Sequence, residues 1–245
     1  MKKSKNIMGM PVVIEIADNN ATDEAINEVF SYFHYIDEKF STYKAGSEIS
    51  KINQGKLSFL NYSNEMNKIL KLCEQTKKET NGYFNIERNG ALDPSGLVKG
   101  YAIWEGAKIL QKKGYKNFYV EIAGDIQIIG KNKKGEKWKV GIKNPFNTEE
   151  IIKIVYLKDK GIATSGNYIR GEHIYNPKDE KFKEEIVSLT VIGPNVYDAD
   201  RFATGAFAMG KKGIDFIASL KGFEGYMIKK DKTAIFTNGF NKFLN

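Results

Sequence analysis

Residues 10–17 set Val12, Ile14 and Ile16 on one side of an extended chain and predict a strand. The period then changes. Ile26, Val29, Phe30, Phe33 and Ile36 recur at helical spacing, and Thr22 or Asn20 can cap the helix they predict. Residues 40–53 lose periodicity and gather Ser, Thr, Gly and Asn, which predicts a loop or a short helix within one. Helical spacing resumes after Ser63 at Met66, Ile69, Leu70 and Cys73, and Asn81-Gly82 ends that helix with a left-handed cap. A turn at Asp93-Pro94-Ser95-Gly96 leads into a helix through Val98, Ala102, Ile103, Ala107 and Leu110, which Gly114 can terminate.

The second half is rich in strands. Residues 118–123 and 126–129 flank Gly124-Asp125, and residues 138–142, 151–156 and 187–192 are further strands. A helix over 197–210, a short helix near 214–220 and short strands at 225–228 and 234–236 complete the pattern. Helices and strands mix without strict β–α–β alternation, and no repeat or linker interrupts them. The fold class is therefore α+β, with mixed or antiparallel strands packed against helices. Residues 1–245 form a single domain, with room for two intimately packed lobes.

Composition excludes some functions. No apolar run approaches the roughly 18 residues needed to span a bilayer, so stable membrane insertion is not expected. The basic start Met1-Lys2-Lys3-Ser4-Lys5 lacks the apolar stretch of a secretory signal, which predicts a cytoplasmic protein. The net charge of +8 comes mostly from Lys. Basic residues are not clustered with interleaved aromatics, so no nucleic-acid partner is expected, although such a surface can steer an anionic ligand. Cys73 is the sole cysteine; it can form no internal disulfide and reads as a buried, inert thiol.

Several polar segments carry candidate chemistry. Asp200 and Thr204 lie one helical turn apart, and a carboxylate beside a hydroxyl supplies hard oxygen donors for Mg²⁺. In Asp93-Pro94-Ser95-Gly96-Leu97-Val98-Lys99 a turn opens a helix whose N-terminal N–H groups suit an anion. Lys99 falls in the first turn, where the helix dipole disfavours a cation unless an anion lies between. An ordinary tight turn with an exposed Lys gives the same residues. Gly161-Ile162-Ala163-Thr164-Ser165-Gly166-Asn167-Tyr168 ends a strand with small hydroxyl residues, and His173 follows in His173-Ile174-Tyr175-Asn176-Pro177. His173 is the general-base candidate, with a structural role as the alternative; His34 reads as a helix-surface residue. Tyr43, among the hydroxyls of 40–53, either stacks on a planar ring or anchors a polar loop. Ala123-Gly124-Asp125 is a strand break that admits a ligand close to the backbone, or a bulge.

Taken in order, these segments resemble the ApbE family, the FAD:protein FMN transferases. The resemblance runs from Met8-Gly9 to Thr237-Asn238-Gly239-Phe240. It includes Ser41-Thr42-Tyr43, Ser47-Glu48-Ile49, Asn53, Asp93 through Ala102, Ala123-Gly124-Asp125, Ala163 through Tyr168, His173 through Pro177, and Ala199 through Thr204. It is closest to the compact, leaderless branch, because a longer insertion between Phe84 and Asp93 is missing. The resemblance implies a T-fold-like architecture and a flavin transferase. FAD would be split at its pyrophosphate, FMN joined to a Thr hydroxyl of an acceptor flavoprotein, and AMP released. It implies Mg²⁺ held by Asp200, Thr204 and the Gly96 carbonyl, and flavin contacts at Met8, Tyr43, Phe84, Asp93, Lys99 and His173. His173 and Asp200 are the implied catalytic residues. The chain departs from the family pattern at Asn85, Glu121 and Asn176. An Mg²⁺-dependent FAD pyrophosphatase and a non-catalytic flavin-binding protein are the alternatives.

Overall fold

The structure is a computed structural model, and it describes residues 1–166, 175–179 and 185–244. In chain order the elements are β1 (Lys2–Ile7), β2 (Met10–Ile16), α1 (Asp23–Phe40), α2 (Glu48–Asn53), α3 (Asn64–Glu79), β3 (Glu87–Arg88), β4 (Ala91–Leu92) and α4 (Ser95–Lys112). There follow β5 (Phe118–Ile122), β6 (Asp125–Ile129), β7 (Trp138–Asn144), β8 (Asn147–Leu157), β9 (Lys160–Gly166) and β10 (Ile186–Gly193). The last are α5 (Val196–Ala208), α6 (Gly213–Ser219), β11 (Glu224–Lys229) and β12 (Ala234–Phe236).

Among the described residues, eight strands join in the order β1-β2-β5-β6-β9-β10-β11-β12, each antiparallel to its neighbours. Alternation drives this arrangement. Val12, Ile14 and Ile16 of β2 and Phe118, Val120 and Ile122 of β5 are all fully buried on the face that α1, α3 and α4 cover. The intervening Tyr119 points the other way and packs with Trp138 against the β7–β8 ribbon. Helices thus cover one face and the ribbon the other, as expected for an α+β protein. Residues 138–142 and 151–156 form strands as predicted, but in a separate ribbon rather than in the main sheet.

The helix boundaries have identifiable causes. Thr22, not Asn20, caps α1, its side chain accepting the Ala25 N–H. Ser63 caps α3 in the same way, and Asn81 (φ 51°) and Gly82 (φ 79°) end it in the left-handed region. The aperiodic 40–53 stretch contains the short helix α2, capped by Ser47. Helix α4 begins at Ser95, ahead of the first periodic apolar residue, because Pro94 accepts the N–H groups of Leu97 and Val98. The basic N-terminus forms β1, an edge strand that periodicity did not reveal. Cys73 is buried, and burial pushes its thiol up to about 12. No helix among the described residues is long and apolar enough to cross a membrane.

Candidate active site

Helices α4 and α5 pack side by side on β5, β6, β9 and β10, and the site lies where the N-terminal end of α4 meets the middle of α5. Their contact requires a glycine: a Cβ at Gly100 would stand 2.6 Å from the Asp200 Cβ. The Gly100 N–H donates to Asp200 Oδ2 at 2.8 Å, which fixes the carboxylate against α4. One turn further along α5, the Thr204 hydroxyl donates to the Gly96 carbonyl at 3.3 Å. Ser165 on β9 lies 3.5 Å from the same hydroxyl. The helical spacing of Asp200 and Thr204 therefore sets a carboxylate, a hydroxyl and a carbonyl along one wall.

Opposite stands Lys99, its Nζ 2.6 Å from Asp125 Oδ2 and 3.8 Å from Asp200 Oδ1. Asp125 is buried and opens β6 directly after the turn at Ala123 (φ 50°) and Gly124 (φ 92°). Its Oδ1 accepts the Thr164 N–H at 3.0 Å. Asp200 is 3% exposed. Burial pushes the Asp200 carboxyl well above its usual range, Lys99 opposes this and the Asp125 carboxylate adds to it. A buried carboxylate that resists ionisation is one that a bound cation would relieve.

The start of α4 is less open to an anion than its sequence suggests. Asp93 Oδ1 accepts the Ser95 N–H at 3.0 Å, and the Pro94 carbonyl accepts those of Leu97 and Val98. The positive groups lining the pocket are the Lys99 and Arg88 side chains rather than a bare helix end.

Asp93, Gly96, Lys99, Ser165, Asp200 and Thr204 line a cavity of about 210 Å³ together with Phe84, Asn85, Arg88, Tyr175 and Pro177. Phe84 is buried, its N–H donating to Thr80 Oγ1 at 3.0 Å. Tyr175 donates to the Glu87 carbonyl at 2.8 Å under the Arg88 guanidinium. A second cavity of about 510 Å³ lies between the main sheet and the β7–β8 ribbon, and shares Ala123 and Thr164 with the first.

Of the residues singled out in the sequence, Phe84, Asp93, Gly96, Lys99, Asp200 and Thr204 meet in this pocket. Met8 and Tyr43 are not among its lining. Met8 (φ 58°) occupies the β1–β2 turn, and Tyr43 is 98% exposed. His173 lies outside the described residues, as do Asn167, Tyr168 and Ile174. His34 is exposed on α1.

Two residues that belong to the resembling segments were assigned no role from the sequence and prove to hold the site's scaffold. Asn53 pairs in both directions with the Leu92 backbone, at 2.8 and 2.9 Å, and so ties α2 to the strand that delivers Asp93. Arg201, 7% exposed, pairs with Asp198 at 2.7 Å and with Glu79, and fastens α5 to α3. An arginine among the apolar positions of α5, with Asp198 three residues before it, was the available signal for it.

Hard oxygen donors suit a magnesium-like cation, and one carboxylate with a hydroxyl and a carbonyl is such a set. Among the described residues no group of three or more His, Cys, Asp or Glu stands together. Fold and pocket together define an α+β protein with an oxygen-lined pocket beside a half-buried lysine. The chain belongs to the ApbE family, whose model matches residues 8–89 and 86–227.

Among curated relatives, the FAD:protein FMN transferase of Vibrio cholerae is 33% identical over 131 residues, covering 49% of this chain and 39% of that protein. The protein of the same name from Salmonella typhimurium is 29% identical over 150 residues, 57% of this chain and 43% of that one. The matched region thus spans less than half the length of these relatives. The flavin transferase ApbE structure from Vibrio cholerae superposes with a TM-score of 0.86 at 24% identity, covering 100% of this chain and 99% of that one. The Thermotoga maritima ApbE protein gives 0.87 at 21% identity with the same coverage. At such identities these likenesses establish the fold.

Proposed function

We propose that the protein transfers FMN from FAD to a threonine hydroxyl of an acceptor flavoprotein and releases AMP, in an Mg²⁺-dependent reaction. The observation that carries this reading is the meeting of Asp200, Thr204 and the Gly96 carbonyl with the Lys99 ammonium in one pocket. Membership of a family whose curated relatives are named FAD:protein FMN transferase supports it.

Asp200, Thr204 and Gly96 would hold Mg²⁺, which when bound offsets charge on the pyrophosphate. Lys99 binds the phosphate oxygens from the facing side and stabilises charge as it shifts to the departing AMP phosphate. That phosphate is a weak base and leaves without a strong general acid. The acceptor threonine is a weak nucleophile; His173 takes its proton. Phe84 supplies an apolar wall for the flavin, and positioning supplies much of the rate. The pocket itself is smaller than a dinucleotide needs, so part of the FAD would extend beyond it. Flavin contacts at Met8 and Tyr43 require the ring to extend past the pocket lining.

The test is incubation with FAD, Mg²⁺ and an acceptor domain carrying a threonine in a short motif of small residues. The expected result is an acceptor heavier by one FMN, with AMP released in equal amount. Free FMN and AMP without an adduct would replace transfer by hydrolysis, and unconsumed FAD would remove both.

A further inference from the structure

Lys99 stands between two buried carboxylates and is much closer to one of them, at 2.6 Å from Asp125 and 3.8 Å from Asp200. Its stem rises from the fifth residue of α4, just past the first turn, and the two carboxylates within reach of the ammonium decide where it rests. Asp125 is anchored independently of Lys99. The Ala123-Gly124 turn aims it, and the Thr164 N–H holds its other oxygen. Asp200 is anchored by Gly100, and its Oδ1 faces both Lys99 and the pocket.

An ammonium and a divalent cation compete for the same carboxylate, and lysine's long flexible stem makes it a mobile competitor. Moving from 3.8 Å into direct contact with Asp200 needs a shift of about one ångström, within the reach of an ordinary rotamer change. We infer that Asp125 is a positioning residue that keeps the Lys99 ammonium off Asp200, leaving Asp200 open to a divalent cation while Lys99 stays available to the accompanying anion. The inference rests on the reading of Asp200, Thr204 and Gly96 as a cation site. It assigns Asp125 no contact with the cation.

The test titrates Mn²⁺ into the unaltered protein and into D125N, K99M and the double variant K99M/D125N, following bound metal by electron paramagnetic resonance without substrate. The amide introduced in D125N keeps an oxygen for the Thr164 N–H, so this variant should fold, and its melting temperature checks this. The expected result is a dissociation constant raised by about tenfold or more in D125N and restored in K99M/D125N. Equal Mn²⁺ affinity in D125N and the unaltered protein overturns the inference. Weak binding in both D125N and the double variant also overturns it, since Asp125 would then be a ligand or a structural support. If D125N does not fold, the charge-balanced double variant still decides: unaltered affinity supports the inference and lost affinity rejects it. A crystal structure of D125N separates displacement from a mere loss of negative field. The ammonium is expected in direct contact with Asp200, and finding it unmoved sinks the idea. If the unaltered protein binds no Mn²⁺, the cation site itself fails and takes the inference with it, an outcome distinct from all the others.

Discussion

Asp200 and Arg201 are neighbours on α5, both buried, and they live in opposite electrostatic worlds. Successive helical residues point about 100° apart, so Asp200 faces α4 and the pocket while Arg201 faces α3. Arg201 is satisfied. It pairs with Asp198 and Glu79, reaches Thr76 Oγ1 at 3.3 Å, and lies over the Phe202 ring, so its guanidinium is held above its usual range despite burial. Asp200 is only partly so: burial pushes it upward and a second carboxylate adds to the push, against the pull of Lys99 and the Gly100 N–H. A structural ion cluster closes its own charge balance, whereas a binding site leaves one open for what it binds.

The largest effect that could break this contrast is on activity. D200N keeps an acceptor for the Gly100 N–H and removes the charge a cation needs. Metal-dependent turnover should fall by about a thousandfold, on the order of 4 kcal/mol. Its stability at pH 8 should be equal or higher, because the native state no longer carries an ionised carboxylate held above its unfolded value. Urea unfolding and FAD turnover measured on the same preparation check both halves. A destabilised D200N would show that Asp200, like Arg201, is part of the scaffold.

Next in size is R201M, which should show the reverse. It strands Glu79 and Asp198 and should lose about 2–4 kcal/mol of stability, the lower part of the range reflecting Glu79's partial exposure. Below its lowered melting temperature, Mn²⁺ affinity should stay close to that of the unaltered protein. Affinity lost in proportion to stability would mean that the two sides of α5 are not separable.

The sequence made one side of this contrast legible and hid the other. Asp200 and Thr204 share a helix face by simple periodicity, and Gly96 and Lys99 share the turn and first helical coil that meet them. The partnership of Lys99 with Asp125 was not readable, since it depends on a tight turn between β5 and β6 and on β9 lying alongside. In the clamp around Arg201 the Asp198 pair is a local i,i+3 one, but Glu79 and Thr76 come from more than a hundred positions away and leave no local pattern. Strand β1 was missed for a related reason: only Ile7 of its six residues is buried, so it has no apolar alternation and takes its conformation from pairing with β2. The separation of β7 and β8 from the main sheet likewise follows from which faces they cover, not from their own residues.

Smaller again is G100A, which acts on the joint between the helices. The added Cβ would meet the Asp200 Cβ at 2.6 Å, its Oδ2 at 2.9 Å and the Val196 carbonyl at 3.0 Å. Separating α4 from α5 to relieve this should cost about 1–3 kcal/mol. Because Asp200 is the atom group displaced, Mn²⁺ affinity should fall as well, unlike in R201M. A melting curve with a parallel metal titration distinguishes the two. Unchanged affinity would mean that the carboxylate can follow the helix without losing its geometry.

The smallest effect concerns a second carboxyl held above its usual range, without a cation site to explain it. Glu121 on β5 faces the cavity beneath the β7–β8 ribbon; burial raises it, Lys2 and Lys143 pull it down, and Asp125 pushes it up. Its folded value exceeds its unfolded one, so the native state binds more protons between the two, and stability falls as pH rises through that window. Above the folded value the whole cost is present; below the unfolded value it vanishes. E121Q should therefore be more stable than the unaltered protein at pH 8, by less than about 1 kcal/mol, with the gap closing under acid. Urea unfolding at pH 8 and pH 4 measures it. If E121Q is instead less stable at pH 8, the Glu121 carboxylate has found partners as Arg201 has, and an upward-pushed carboxyl is no longer by itself the mark that sets Asp200 apart.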